Sequence, residues 1–333
     1  MIDYAKYYED DKFNLDLALR RLVPKLLKVL PGILKQIPRR FFTSRVVFSL
    51  CQKLGFYVIP NHFYYPIPDT RNLKNSLWSN HSELIGINMN REKQLELLSI
   101  FESNFKPEYE QFSTNKTTVP HEYYLSNASF KSVDAETLYC MVRYFKPSNI
   151  YEIGSGNTTY LSARALVKNM AQDSQYQCQL IAIDPYPNEI LRAGFPSFSK
   201  VIIKKMQDIP YTEFSALKEN DILFIDSSHV LKIGSDVQYE YLEILPRLRV
   251  GVIIHVHDIF MPAEYPRKWV LTDHMFWNEQ YLLQAFLSFN ESFEVMWAGS
   301  YMHLNYPERL QRAFKSYNRL KTWPGSVWIR RIR

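Results

Sequence analysis

The nine residues Tyr-Glu-Ile-Gly-Ser-Gly-Asn-Thr-Thr at positions 151–159 decide the expected fold of this chain. They overlap the apolar run NIYEI (149–153), which predicts a strand, and they open a stretch with helical periodicity. Gly154 and Gly156 let the backbone turn tightly and approach a ligand closely, while the N–H groups of the helix face that ligand. The stretch therefore predicts a strand–turn–helix unit that binds a ligand at its turn.

Short apolar runs alternate with helical patterns from about residue 132 onwards. The runs predicted as strands are NIYEI (149–153), LIAID (180–184), VIIKK (201–205), ILFID (222–226), GVIIHVH (251–257), FEVMWAGSYM (293–302) and SVWIRR (326–331). The stretches predicted as helices are 132–145 with Ser132 as N-cap, 159–171, 236–245, 276–289 and 307–320. Short apolar strands that alternate with helices are typical of an α/β fold with a parallel, doubly wound sheet buried on both faces.

Three segments are predicted along the chain: a basic helical extension (1–60), an aromatic-rich lid or substrate-specificity segment (61–131) and a ligand-binding domain (132–333). In the extension, leucine and isoleucine recur every three or four residues over 15–37, as in an amphipathic helix. A proline at every seventh position is expected to divide it into short, kinked helices.

The formal charge of +6 is spread unevenly, because nine Lys or Arg and no acidic residue lie between Leu17 and Pro60. Two interpretations of this basic segment stay open. It can contact an anionic membrane or an acidic partner protein, or it can cap the rest of the chain with its cations in solvent. The remaining sequence is slightly acidic, which argues against nucleic acid as a partner.

Several features indicate a cytoplasmic protein. The three cysteines are widely spaced and form neither a disulfide framework nor a paired metal motif. The N-terminus does not resemble a signal peptide, and no apolar run is long enough to span a bilayer. The sequence leaves monomer and homo-oligomer both open.

Two stretches of the middle segment, 62–71 and 121–130, place a histidine and paired tyrosines beside turn-forming residues. Tyrosine offers a flat apolar face with a polar tip, so such clusters suit the walls of a pocket for a small-molecule acceptor; plain loop packing is the alternative. The candidate wall residues are Tyr64, Tyr65, His121, Tyr123 and Tyr124.

The ligand expected at the turn is an adenosyl sulfonium compound with an ammonium group. A dinucleotide site would place a small residue at position 159, where Thr159 stands, and the acid Glu152 is atypical for such sites. Asp184 can accept both ribose hydroxyls and Asp208 can contact an adenine amino group, although each can instead cap a loop or helix. The predicted cofactor contacts are Glu152, Gly154, Ser155, Gly156, Thr158, Asp184, Pro185 and Asp208.

Carboxylates and histidines follow two further strands, at Asp226 and His229 and at His257 and Asp258. Asp226, His257 and Asp258 are the predicted ligands of Mg²⁺ or Mn²⁺, which prefer oxygen-rich sites. The metal would orient a substrate hydroxyl, with His229 or His257 as general base. A metal-free site with one histidine as the base is the alternative. His255 is expected to be a hydrogen-bonded core residue.

These motifs resemble the class I S-adenosylmethionine-dependent methyltransferases over roughly residues 132–333. The matching stretches are EIGSGNTT (152–159), AIDPYP (182–187), FIDSSHV (224–230) and GVIIHVHDIF (251–260). Within that superfamily the chain looks most like the branch that contains metal-dependent sugar O-methyltransferases of antibiotic pathways.

The resemblance implies a Rossmann-like, seven-stranded sheet whose last strand is antiparallel. It places Asp226 and Asp258 at metal-ligand positions of the branch, His229 where the branch has a histidine, and His257 where it usually has another acid. It implies O-methylation of a hydroxylated small molecule, such as a sugar or secondary metabolite. The rival hypotheses are a hydroxylase-like reaction on the same fold and a non-catalytic partner protein that acts through the basic extension.

Overall fold

The computed structural model describes residues 38–333, and the chain divides into two compact units between Asn72 and Leu73. The kinked helices predicted over 15–37 therefore lie outside the described residues. No helix among residues 38–333 is both long and apolar enough to cross a membrane.

The described part of the first unit, residues 38–72, contains two helices and a closing 3₁₀ turn. Helix α1 spans Arg39–Phe42, α2 spans Arg45–Lys53, and the turn spans Thr70–Asn72. Ser44 caps α2, because its hydroxyl accepts the N–H of Val47. Many apolar side chains of this unit are exposed, among them Phe41, Val46, Leu50, Leu54, Phe63 and Tyr64.

The second unit, Leu73–Arg333, is built on one sheet of seven strands. The strands are β1 (Asn149–Ile153), β2 (Gln179–Ile183), β3 (Lys200–Ile202), β4 (Ile222–Ile225), β5 (Ile253–Val256), β6 (Phe293–Ala298) and β7 (Val327–Arg331). Their order is β3-β2-β1-β4-β5-β7-β6, and β7 runs antiparallel to both of its neighbours. The predicted α/β, Rossmann-like sheet with an antiparallel last strand is confirmed.

Helices connect the strands and cover the sheet. They are α3 (Ser76–Ser79), α4 (Arg91–Tyr109), α5 (Asp134–Phe145), α6 (Asn157–Gln172), α7 (Glu189–Ala193), α8 (Asp236–Tyr239), α9 (Arg267–Leu271), α10 (Glu279–Leu287), α11 (Gly299–Asn305) and α12 (Pro307–Ala313). A π-helical turn at Glu240–Ile244 extends α8, and 3₁₀ turns occur at Met206–Asp208, Tyr211–Ala216 and Leu245–Arg247.

The side chains on the two faces of the sheet belong to two separate hydrophobic clusters. Along β4, Ile222 and Phe224 pack into one cluster, while Leu223 and Ile225 pack into the other. Because successive side chains of a strand point to opposite faces, both faces are covered and the strands read as continuous apolar runs. This burial leaves the loops at the strand ends as the places where polar side chains gather.

Several element boundaries differ from the sequence prediction, and contacts distant in sequence explain three of the differences. Ser132 does not cap α5; its hydroxyl bonds to that of Ser316, and Glu136 instead accepts the N–H of Val133. The strand predicted to reach residue 302 ends at Ala298, where the N–H of Gly299 donates to the carbonyl of Ser326 and α11 begins. The helix predicted over 307–320 ends at Ala313, after which the chain turns to bury Phe314 and Tyr317.

Gly154 supplies a stability test of the turn after β1. Its φ is +80°, and a Cβ there would overlap the carbonyl oxygen of Asp226. Gly234 has a similar φ of +70° but open space around a Cβ, so it is the matched control. We expect Gly234→Ala to lower the free energy of unfolding by about 1–2 kcal/mol, and Gly154→Ala to cost a further ~1–3 kcal/mol for the overlap.

Urea denaturation of both variants measures the difference. Equal losses for Gly154→Ala and Gly234→Ala would show that the ends of β1 and β4 are not packed as closely as described. A Gly154→Ala chain that does not fold at all, beside a folded control, agrees with the overlap.

Candidate functional site

The candidate site lies at the carboxyl ends of β1, β2, β4 and β5, which are mutually parallel and therefore end at the same edge of the sheet. In doubly wound sheets ligands bind at this edge. The residues that follow these strands include Gly154, Asp184, Asp226 and His257. Both predicted groups, the cofactor contacts and the acid–histidine group, are thus placed by the strands themselves.

The turn after β1 is held against the neighbouring strands by backbone hydrogen bonds. The N–H of Gly154 donates to the carbonyl of Ile183, and the N–H of Asp226 donates to that of Ile153. Because a Cβ on residue 154 would overlap the carbonyl oxygen of Asp226, the close packing of the two strand ends requires a glycine at this position. Around Gly156, in contrast, no atom lies within 4 Å of a Cβ position, which leaves open space above the turn.

Glu152 is a buried acid with an incomplete set of partners. One carboxylate oxygen accepts the hydroxyl of Thr158, while Oε2 is buried and has no hydrogen-bond partner among the described residues. Burial raises the pKa of Glu152 to about 8. A ligand ammonium would provide the missing donor, so this residue fits the amino-acid end of an adenosyl sulfonium ligand.

Asp184 follows β2 and is joined to the turn after β1. Its Oδ2 accepts the hydroxyl of Ser155 at 2.5 Å, and its Oδ1 accepts the N–H of Tyr186 at 2.7 Å. The structure thereby brings Ser155 and Asp184 together, with Pro185 beside them. Asp208 lies exposed on a 3₁₀ turn after β3, so its contact with an adenine stays a prediction.

Two aspartates and one histidine form a compact group after β4 and β5. Nε2 of His229 lies 3.2 Å from Oδ1 of Asp226 and 3.6 Å from Oδ2 of Asp258. One ligand atom from each of the three residues lies within 4.8 Å of the others, a spacing that can hold a metal ion. The carboxylate oxygens of Asp226 and Asp258 suit Mg²⁺ or Mn²⁺, while Nε2 of His229 can either join these ligands or stay free to act as a base.

His257, the histidine named in the predicted metal set, lies beside this group. Its Nε2 is 3.5 Å from Oδ1 of Asp258, and its buried Nδ1 has no hydrogen-bond partner among the described residues. The geometry therefore places His229 between the two aspartates, with His257 adjacent. His255, one pleat back, is fully buried and its Nε2 bonds to the hydroxyl of Ser326 at 3.0 Å, as expected of a core residue.

Glu279 was not predicted from the sequence, yet it contacts the other nitrogen of His229. Its Oε2 lies 2.9 Å from Nδ1 of the imidazole, and the carboxylate is fully buried in the first turn of α10. The residue stands 50 positions away from His229. The available signal was an acid that opens the apolar helix over 276–289.

The charges of this group shift the pKa values of its members. Although burial alone would favour the neutral ring, hydrogen bonds to Asp226 and Glu279 raise the pKa of His229 well above its usual value. Burial opposes a low pKa at Asp226 as well, but the charge of His257 and the hydrogen bond to His229 lower it. Burial raises the pKa of Asp258. Without a bound ligand, the site thus favours an ion pair between His229 and Asp226.

The candidate pocket-wall residues have different surroundings. Tyr123 is fully buried and its hydroxyl donates to the carbonyl of Phe130, so it belongs to the core. His121 stacks on Phe195 with ring centroids 5.3 Å apart, and Tyr124 is half-buried. In the first unit, Tyr64 is exposed and Tyr65 is half-buried.

Two comparisons with known proteins bear on this site. Residues 151–259, which run from β1 past the aspartates of the site, match a family model described as a methyltransferase domain. A protein of Archaeoglobus fulgidus, described as uncharacterized, is 29% identical over 181 residues, which cover 52% of this chain and 80% of the relative. The family match supports a methyltransferase and implies S-adenosylmethionine as the methyl donor.

Asp184 and Asp173 form a matched pair for testing the cofactor site. Each accepts the N–H of the residue two positions on, but Asp173 follows α6 at the other end of β2. We expect Asp184→Asn to weaken S-adenosylhomocysteine binding about 10- to 100-fold, because a charge-assisted hydrogen bond is lost. Asp173→Asn should bind like the unaltered protein. Calorimetric titration measures both, and equal affinities for all three proteins would remove Asp184 from the site.

Proposed function

We propose that this protein is an S-adenosylmethionine-dependent O-methyltransferase that acts on a hydroxyl group of a small molecule, such as a sugar or secondary metabolite, with the assistance of Mg²⁺ or Mn²⁺. The observation that carries the proposal is the position of Asp226 and Asp258 on either side of Nε2 of His229. This group lies at the same sheet edge as Glu152 and Asp184.

The donor-binding half consists of Glu152, Ser155 and Asp184. The unpartnered Oε2 of Glu152 supports a contact with the ammonium of the donor. Asp184, with Ser155 at one of its oxygens, is the acceptor for the ribose hydroxyls. When bound, S-adenosylmethionine supplies an electrophilic methyl group on a positively charged sulfur.

The acceptor-binding half consists of Asp226, Asp258 and His229. In this proposal the two aspartates hold a hard divalent cation and leave Nε2 of His229 free for the acceptor, while His257 lies close enough to Asp258 to assist. A cation bound there would lower the pKa of an acceptor hydroxyl beside it. Its charge would also oppose the carboxylates that hold His229 protonated, and so lower the pKa of that histidine.

His229 is the general base of the proposed reaction. With S-adenosylmethionine bound, its methyl group would pass to the acceptor oxygen and leave the neutral thioether, while Nε2 of His229 would take the hydroxyl proton. The adjacent carboxylates of Asp226 and Asp258 stabilise the resulting imidazolium. Since the reacting oxygen, carbon and sulfur must be aligned, positioning by these residues supplies most of the rate.

Asp226→Asn tests the division between donor and acceptor halves. We expect at least a ~100-fold loss of methyl transfer, because the cation and the imidazolium both lose a carboxylate, whereas the affinity for S-adenosylhomocysteine should stay within about twofold. Asp273→Asn is the control, since that carboxylate pairs with Lys268 on the surface. Transfer from methyl-labelled donor to a panel of sugars and phenols, with magnesium or with EDTA, measures turnover.

Binding of S-adenosylhomocysteine by the unaltered protein is the preceding test. Titration with magnesium and with EDTA should give binding in both, and folded protein that binds in neither would overturn the proposal. Loss of cofactor affinity in Asp226→Asn would remove its assignment to the acceptor half. A product that gains oxygen instead of a labelled methyl group would favour the hydroxylase-like reaction.

The basic extension carries a separate prediction. Residues 38–58 combine exposed apolar side chains with Arg40, Arg45 and Lys53 and contain no acidic residue. A segment of this kind is expected to bind anionic vesicles and to lose binding in salt. Co-sedimentation with phosphatidylglycerol and with phosphatidylcholine vesicles measures this. If the protein shows no preference for the anionic vesicles, membrane binding is ruled out and the interpretation of the extension as a cap on the rest of the chain is favoured.

A further inference from the structure

The start of α10 contacts His229 in three different ways. The backbone N–H groups of Asn278 and Glu279 both donate to the carbonyl of His229, at 3.1 and 3.2 Å. The ring of Trp277 lies against the imidazole, with centroids 4.3 Å apart. Glu279 adds the contact with Nδ1 described above. The backbone, the ring face and one ring nitrogen of His229 are thus all held by three consecutive residues.

These contacts stabilise a strained backbone conformation at His229. Its φ is +58°, in the left-handed region that few residues other than glycine adopt. Such a conformation persists where the surrounding structure fixes it. The side chain of Asn278 contributes to that fixation, because its Oδ1 accepts the N–H of Leu231 at 2.6 Å.

The contact of Glu279 with Nδ1 of His229 favours a proton on that nitrogen. A carboxylate offers only acceptors, and the second oxygen of Glu279 accepts the hydroxyl of Tyr241 at 3.1 Å. Since Oε2 faces Nδ1, that nitrogen donates, and Nε2 is the one directed at Asp226 and Asp258. A carboxylate at the far nitrogen of an active-site or metal-binding histidine commonly sets its tautomer and ring orientation.

The same helix start also holds the loop after Asp258. Oε1 of Gln280 accepts the N–H of Phe260 at 3.0 Å, and its Nε2 donates to the carbonyl of Ala263 at 3.2 Å. Both halves of the acid–histidine group therefore depend on Trp277–Gln280, which we call the clamp.

We propose that the clamp is the positioning element of the acceptor site, and that Glu279 keeps the proton on Nδ1 of His229 so that Nε2 serves the reaction. The inference rests on the proposed function for its consequence in catalysis, but the tautomer of His229 is measurable without any acceptor or metal. Glu279 is a positioning residue, because it acts through His229.

The first test is the tautomer of the neutral ring of His229 in the full chain, with histidine labelled by ¹⁵N, in the presence of EDTA and at a pH high enough for the ring to have lost one of its two protons. Two-bond proton–nitrogen correlations distinguish a protonated Nδ1 from a protonated Nε2, and the signals missing from His229→Asn assign the residue among the eight histidines. We expect Nδ1 to carry a proton in the unaltered protein. A ring protonated at Nε2 alone overturns the inference, and this outcome requires no Glu279 variant to fold.

Variants of Glu279 and its neighbours give the second test. Glu279→Met removes both acceptors and should lose the Nδ1 tautomer, whereas Glu279→Gln keeps one acceptor oxygen and should retain it. Tyr281→Phe is the matched control: it also lies in α10, and its hydroxyl bonds to Glu264. A folded Glu279→Met chain with the His229 signals of the unaltered protein contradicts the proposal.

Kinetics then separate positioning from a merely structural role. With an acceptor that the labelled-methyl assay identifies, Glu279→Met should lower kcat about 10- to 100-fold and leave KM within about threefold. In a His229→Asn background it should cause no further loss, because the two residues act as a unit. Additive losses overturn the positioning role. If no acceptor is methylated, the proposed function fails while the tautomer measurement still decides the inference.

Discussion

The close approach of the ends of β1 and β4 is the constraint on which the rest of the site depends. The N–H of Asp226 donates to the carbonyl of Ile153, and there is no room for a Cβ on Gly154 beside the carbonyl of Asp226. This contact joins the turn that carries the proposed donor-binding residues to the loop that carries the proposed acceptor-binding ones. A shift of either strand end would displace both the turn after β1 and the loop after β4, because there is no free space between them.

The fold could be predicted from the sequence because buried parallel strands leave a clear pattern of short apolar runs. The boundaries that failed depend on contacts distant in sequence. Val133 begins α5 with a φ of +72° because Glu136 reaches back to its N–H, so a better cap residue at Ser132 is not used. The run over 293–302 stays apolar past the end of β6, and the switch to a helix at Gly299 depends on its hydrogen bond to Ser326.

The candidate site was predictable as far as strand ends determine it. Asp184 and Asp226 directly follow strands and Asp258 comes two residues after one, so the sheet edge at which they lie could be inferred without coordinates. The sequence could not show which of His229 and His257 lies closest to both aspartates. His229 lies in a loop whose left-handed backbone directs the ring back towards Asp226. Glu279 could not be found either, since the partner of a loop residue is set by tertiary packing and not by spacing along the chain.

The sign of the charge at this sheet edge limits which ligands the site can hold. The chain carries a net charge of +6, yet the acids Glu152, Asp184, Asp226 and Asp258 lie at this edge, the last two beside His229. Buried carboxylates are costly unless positive groups compensate them. The raised pKa of His229 favours its charged ring, which offsets part of this charge, while Oε2 of Glu152 has no protein partner among the described residues. The proposed sulfonium donor with its ammonium group and the proposed divalent cation are both positive, so each would offset negative charge that the side chains leave uncompensated.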